Sequence, residues 1–226
     1  MTQNAVGLNL VNPKHVGYTG SLRPSGDESG DAWFTPSEII ELARFILNGI
    51  DLDPFSSDEA NLGVGAKRIF SLQNSAFDQQ RWTARTIFMN PPYSRGLCAK
   101  AVRRLLHEFN AKSFRCALVL VNNMTDTTWF HDLANKAQRR CDFRGRISFV
   151  TTDNKRISGN TRGQSFFLLS RNHKQAVNRF DARMPEHGLV YGSAMRSVSD
   201  VTGWNGGIHR QARRGSRGAI SGGVRL

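Results

Sequence analysis

The 226-residue chain is predicted to fold as an α/β domain, a mostly parallel sheet with helices on both faces. Three observations predict it. Segments with helical apolar spacing alternate along the chain with short apolar runs. The run Cys116-Ala117-Leu118-Val119-Leu120-Val121 is apolar throughout, as in a strand covered on both faces. Residues 86–121 read strand, helix, strand, the unit that joins parallel neighbours.

The elements follow in order. Residues 1–30 are rich in Gly, Ser, Asn and Asp and read as a flexible leader. Thr35-Pro36-Ser37-Glu38 has the form of a capping box, with Thr35 at the N-cap, Pro36 at the first helical position and Glu38 turned back to the N-cap amide. Ile39, Leu42, Ala43 and Ile46 continue at helical spacing, and Asn48-Gly49 supplies a left-handed exit. Ile50-Asp51-Leu52-Asp53 reads as a short strand ending at Pro54, which has no N–H for a ladder. Residues 68–71 read as a second short strand. Residues 86–89 form a clearer one that runs directly into Asn90-Pro91-Pro92-Tyr93. Cys98, Val102, Leu105, Leu106 and Phe109 trace one helical face before the apolar run at 116–121. Phe130, Leu133, Ala134 and Ala137 mark another amphipathic helix. Residues 146–150 and 165–170 read as two strands around a polar loop at 151–163, and 173–180 as a final short helix. The domain therefore spans 31–182, followed at 183–226 by a basic tail that is Gly- and Arg-rich from about Gly203 and is read as flexible. In such a sheet ligands collect beyond the carboxyl ends of the strands. Asp53 and Asn90 both fall at such ends, and the architecture predicts them on neighbouring strands.

Charge narrows the partners. The formal net charge is +13, and its excess is placed late: residues 1–138 carry 14 Lys/Arg against 13 Asp/Glu, residues 139–226 carry 17 against 5. An uneven positive surface concentrates polyanions and releases their counterions, which points to nucleic acid, with membrane phosphates or simple solubility as the bland alternatives. Arg144, Arg146, Lys155, Arg156 and Arg162 cluster around the polar loop and are the candidate phosphate contacts; a solvated basic face is the alternative. Arg210, Arg213, Arg214 and Arg217 in the tail would add affinity without sequence choice. The sequence has neither a membrane-length apolar run nor a signal peptide, and the reading is a soluble cytoplasmic protein. Cys98, Cys116 and Cys141 have no metal or disulfide spacing and read as buried packing thiols, and no metal is expected. Gly63 and Gly65 lie too far beyond the strand to make a phosphate-cradling turn, which argues against a nucleotide-binding dehydrogenase or kinase.

Asn90-Pro91-Pro92-Tyr93 carries the chemistry. A planar amine or amide is a poor nucleophile because its lone pair is delocalised. The side-chain carbonyl of Asn90 and the backbone carbonyl of Pro91 would each accept one of its hydrogens, turning the lone pair towards a methyl sulfonium. Pro91 and Pro92 stiffen the turn that holds the two acceptors. Tyr93 offers a flat face to a base, a contribution of about 1–3 kcal/mol. The bland alternative is an ordinary turn with Tyr93 covering the core.

These residues, with blocks before and behind them, resemble the phage-encoded, Dam-like DNA adenine-N6-methyltransferases. Trp33-Phe34-Thr35-Pro36 resembles the opening block of that family, Leu52-Asp53-Pro54-Phe55-Ser56-Ser57 its cofactor-facing loop, and Asn90 to Ser94 its catalytic loop. Asn61 and Trp82 fall where the family often has Asn and Trp. Thr125-Asp126-Thr127-Thr128-Trp129-Phe130 and Arg144-Gly145-Arg146-Ile147-Ser148-Phe149 resemble its later blocks. The resemblance implies a single-domain, Rossmann-like methyltransferase fold with an antiparallel edge strand. It also implies S-adenosylmethionine as donor and adenine in double-stranded DNA, flipped from the helix, as acceptor, in the cytoplasm of a bacterial host. It places Thr35, Pro36, Asp53, Pro54, Phe55 and Asn74 at the cofactor. Asp53 has a turn-cap reading beside that one, Thr35 an N-cap reading and Phe55 a core reading. Asn74 stands where relatives often carry an acidic residue suited to the cofactor's adenine amine, with Asp78 nearby; an Asn carbonyl can accept the same bond. Two further readings share the scaffold: an adenine methyltransferase acting on RNA, and a nucleic-acid-binding protein that has lost catalysis.

Overall fold

The computed structural model describes residues 15–20, 32–93, 96–150, 155–156 and 162–192. Most of the leader, Ser94 and Arg95, most of the polar loop and the tail from residue 193 lie outside the described residues. Two strands, β1 (His15–Gly20) and β2 (Ala32–Pro36), pair as an antiparallel ribbon. Among the described residues seven more make one sheet: β3 (Leu52–Asp53), β4 (Arg68–Ile69), β5 (Thr86–Met89), β6 (Cys116–Asn122), β7 (Arg139–Phe143), β8 (Gln164–Ser170) and β9 (Gly188–Gly192). Their order is β4-β3-β5-β6-β8-β7-β9. The first four are mutually parallel, β8 lies antiparallel between β6 and β7, and β9 is antiparallel to β7 at the edge.

Strand β6 shows why its sequence makes the centre. Cys116, Leu118 and Leu120 enter one core and Ala117, Val119 and Val121 the other, as the two-residue repeat of a strand requires. Helices α1 (Ser37–Leu47) and α5 (Lys174–Arg183) bring Ile40, Ile46, Ala176 and Phe180 to the first core. Helices α3 (Leu97–Asn110) and α4 (Thr128–Lys136) bring Val102, Leu105, Phe130 and Leu133 to the second. The α/β layering and the mostly parallel sheet predicted from sequence are present. An antiparallel strand is found at the edge, as expected, and a second, β8, inside. Every residue of β8 is buried, so only an interior position covers both of its faces.

Several local expectations are corrected. The N-cap of α1 is Pro36, without a side-chain cap bond, and Thr35 belongs to β2; its hydroxyl is committed elsewhere, so no capping box forms. Asn48 does close the helix in the left-handed conformation (φ 58°), its N–H reaching Arg44 O. Helix α2 (Asp58–Val64), unexpected from sequence, is capped by Ser57, whose Oγ accepts from Ala60 N–H at 3.1 Å. Asn61 then clamps the following turn, bonding both the N–H and the carbonyl of Ala66.

Residues 146–150 form no strand of their own; Val150 bridges to Phe34 and to Arg156, while Ile147 and Phe149 pack into the first core. The strand is instead β7, in which only Cys141 is fully buried. Its charges are matched: Arg139 makes a two-pronged ion pair with Asp181 (2.6 and 2.8 Å), and Arg140 one with Asp142 (2.7 and 2.6 Å). The Arg140 guanidinium also lies 4.8 Å from the Phe130 ring centre and 5.3 Å from that of Tyr191. Part of the late positive charge is thus architectural. Strand β9 carries the sheet beyond residue 182, where the sequence reading ended the domain, and β1 falls within the stretch read as leader.

Candidate active site

At the carboxyl edge of the sheet β3 and β5 run side by side, Leu52 opposite Ile87, so Asp53 and Asn90 end neighbouring parallel strands, as predicted. Strand β5 is buried along its whole length, and Asn90, Pro91 and Pro92 continue the burial. The chain therefore leaves the core with its first polar side chain still enclosed.

Asp53 is 1% exposed. Its Oδ1 accepts from Phe55 N–H at 3.1 Å, a turn of the kind Asp favours, and no cation pairs with it among the described residues. Burial pushes its carboxyl up to about 7, against the smaller opposing effect of the Phe55 amide and Ser56. The turn reading is therefore satisfied with one oxygen. A buried carboxylate without a counter-charge fits an ammonium or a sugar hydroxyl arriving at the strand end. Pro54 is buried beside it. Phe55 belongs to the core, its ring 5.4 Å from that of Phe77 and edge-on to Trp82 at 5.9 Å. Trp82 is enclosed and donates from Nε1 to Ala76 O at 2.9 Å, which fixes the connection between β4 and β5. Asn74 lies exposed on that connection, its carbonyl accepting from Gln79 Nε2 at 2.6 Å.

Asn90 is 1% exposed and stands between two hydroxyls. Its Nδ2 donates to Thr35 Oγ1 at 2.9 Å, while its Oδ1 lies 3.3 Å from the Tyr93 hydroxyl. The same hydroxyl lies 3.3 Å from Leu120 O on β6. With one proton and two acceptors in reach, Tyr93 is anchored inward by its tip while its ring remains partly exposed. Burial, reinforced by the Cys98 thiol, holds the phenol well above its usual range, so it remains a neutral donor. Thr35 and Pro36 are both buried.

The five predicted cations are all exposed. Arg156 pairs with Glu38 at 2.9 Å, and Arg162 reaches Met124. The segment behind them is tied to the site edge. Val150 exchanges both backbone hydrogen bonds with Phe34, next to Thr35, at 2.6 and 3.0 Å. Gln164 opens β8 with no exposure and holds three partners: Ile147 N–H on its Oε1 at 3.0 Å, and Asn122 Oδ1 (3.0 Å) and Arg162 O (2.8 Å) from its Nε2. Sequence reasoning missed this hub. Its only signal was an amide at the head of an apolar strand.

Among the described residues no group of His, Cys, Asp and Glu could hold a metal, and no helix is long and apolar enough to cross a membrane. Cys98, Cys116 and Cys141 are unpaired and buried, their thiols pushed up to about 12.

The sheet order, the acid at the end of β3 and the Asn-Pro-Pro-Tyr turn at the end of β5 define a Rossmann-like methyltransferase. The family follows from comparison with known proteins: residues 24–192 match the model of the DNA N-6-adenine-methyltransferase (Dam) family, and the chain belongs to it. A relative from Escherichia phage T1, a DNA N-6-adenine-methyltransferase, is 24% identical over 172 residues, covering 67% of each chain. No solved structure matches the chain.

Proposed function

We propose that the protein methylates the exocyclic amine of adenine at a defined site in double-stranded DNA, with S-adenosylmethionine as donor and the target base flipped from the duplex. The observation that carries this reading is the enclosed Asn90 amide, next to Asp53 on the neighbouring strand of a Dam-family sheet. Asn90 Oδ1 and the Pro91 carbonyl accept the two hydrogens of the amine, Pro92 holds the turn rigid, and the exposed part of the Tyr93 ring stacks on the base. The donor supplies a methyl on a positively charged sulfur. The two acceptors would turn the amine's lone pair towards that methyl, the sulfur would leave with the carbon–sulfur electron pair, and the amine's surplus proton would pass to solvent, with no covalent intermediate on the protein.

Asp53 suits the ammonium of the donor, because a buried carboxylate lacking a cation gains most from receiving one. In this reading Thr35, Pro36, Pro54, Phe55 and Asn74 complete the donor's surroundings. Arg144, Arg146, Lys155, Arg156 and Arg162 straddle DNA phosphates, and the phage relative supports action in a bacterial host's cytoplasm. Expression in a host without adenine methylation, followed by modification-sensitive sequencing of its genome, tests the activity and reads the site. Asn90→Ala should abolish the marks while donor binding persists; parental methylation by that variant would refute the mechanism.

A further inference from the structure

An asparagine amide has two ends of nearly equal shape and opposite hydrogen-bonding character, and only one can face an amine that must donate. Something has to choose. We propose that Thr35 is a positioning residue: by accepting from Asn90 Nδ2 it fixes the amide so that Oδ1 faces the substrate amine. This rests on the reading of Asn90 given above and adds a residue to it.

The geometry supports the choice from both sides. The Thr35 side chain has no solvent exposure, and the 2.9 Å bond to Asn90 joins residues 55 apart in sequence. In a site closed to water, a lost acceptor is not replaced. Thr35 is also stiff. It precedes a proline, which confines its backbone to extended conformations, and its branched side chain restricts χ1. Its neighbour Phe34 is held by both backbone bonds to Val150, so the acceptor belongs to a clamped strand rather than a free loop.

On the other end of the amide, the Tyr93 hydroxyl stands 3.3 Å from Oδ1 and 3.3 Å from Leu120 O. Without substrate it satisfies Oδ1. When the amine donates to Oδ1, the hydroxyl turns its proton to the Leu120 carbonyl and remains bonded. Among the described residues nothing comparable exists on the Nδ2 side, where Thr35 is the acceptor throughout. A residue whose hydroxyl reads as a helix cap in the sequence is therefore assigned a role at the reacting group.

Thr35→Val removes the acceptor at constant shape, and Thr35→Ser keeps it. Single-turnover methylation of duplex DNA at saturating donor should fall about 10- to 100-fold in Thr35→Val, the effect of one lost buried hydrogen bond. The dissociation constants for S-adenosylmethionine and DNA should stay within about threefold, and Thr35→Ser should react within about threefold of the parent. Should Thr35→Val fail to fold, Thr35→Cys, a far weaker acceptor, must still be slower than Thr35→Ser. The inference is overturned by a parental rate in the Val or Cys variant, or by a Ser variant as slow as these. It is equally overturned if the loss appears as weakened donor binding and disappears at saturation, which would leave Thr35 acting through the donor alone and not through Asn90. Asn90→Ala in the same assay separates the failures. If it is inactive while Thr35→Val is parental, only this inference falls; if Asn90→Ala is itself parental, the reading beneath it falls as well.

Discussion

Asp53→Asn should make the protein more stable and less able to bind its donor, and the two effects can be separated by pH. Asparagine keeps the shape and the acceptor for Phe55 N–H while removing the buried charge. The parental carboxyl titrates near 7 when folded against 3.8 for the ordinary group. Between those values the folded chain binds the proton more tightly than the unfolded chain, so parental stability is fullest below pH 4, falls as pH rises, and levels off above 7. The full span of about three pH units corresponds to about 4 kcal/mol. Between pH 5 and pH 8 the advantage of the variant should widen by roughly 2–3 kcal/mol, on the order of 5–10 °C in melting temperature for a domain of this size. Thermal melts of both proteins without donor, at half-unit pH steps, measure it. A difference constant across that range would refute the argument that burial perturbs Asp53. Calorimetric titration with S-adenosylmethionine at pH 7 should show binding weakened about 10- to 100-fold in the variant, the worth of one charge-assisted hydrogen bond.

Other consequences are equally direct. Arg144→Ala with Arg146→Ala should reduce the slope of log affinity for DNA against log salt by about 1 to 2; an unchanged slope would remove these two from the phosphate contacts. Arg140→Met leaves Asp142 without its cation beneath three aromatic rings and should cost about 3 kcal/mol in denaturant unfolding, against well under 1 for Lys100→Ala on the surface. The three thiols should ignore a disulfide reagent at pH 8 in the native protein and react fully in denaturant; fast native reaction of even one would contradict its burial.

The parts legible in the sequence are those governed by near neighbours. Strand β5 running into Asn90, the apolar β6, the faces of α3 and α4, and the Asn48 exit all depend on residues within a few positions of each other. The placement of Asp53 beside Asn90 followed from the fold class. What escaped depends on distant partners. Arg139 and Arg140 read as surface charge because Asp181 and the aromatic rings that receive them come from other elements. The same holds for Thr35: its sequence neighbours spell a helix cap, and only the fold brings Asn90 to its hydroxyl. Gln164 likewise gathers partners from two distant segments, at Asn122 and Ile147, which no spacing rule encodes.

The antiparallel insertion of β8 has a further consequence. Because β7 points the same way as β6 and β8 points back, the connection between them leaves and re-enters the sheet at the edge occupied by Asp53 and Asn90. A parallel β8 would have needed a crossover returning to the far edge. The hairpin arrangement brings both ends of that connection, with Arg144, Arg146 and Arg162, to the same edge. Lengthening such a loop costs little, about 0.6 kcal/mol for each doubling, and disturbs no strand register. The fold thus separates a chemical half, written in short strands and in the Val150 clamp on Phe34, from a stretch beyond Val150 whose length can change while the strand register beneath it stays as built.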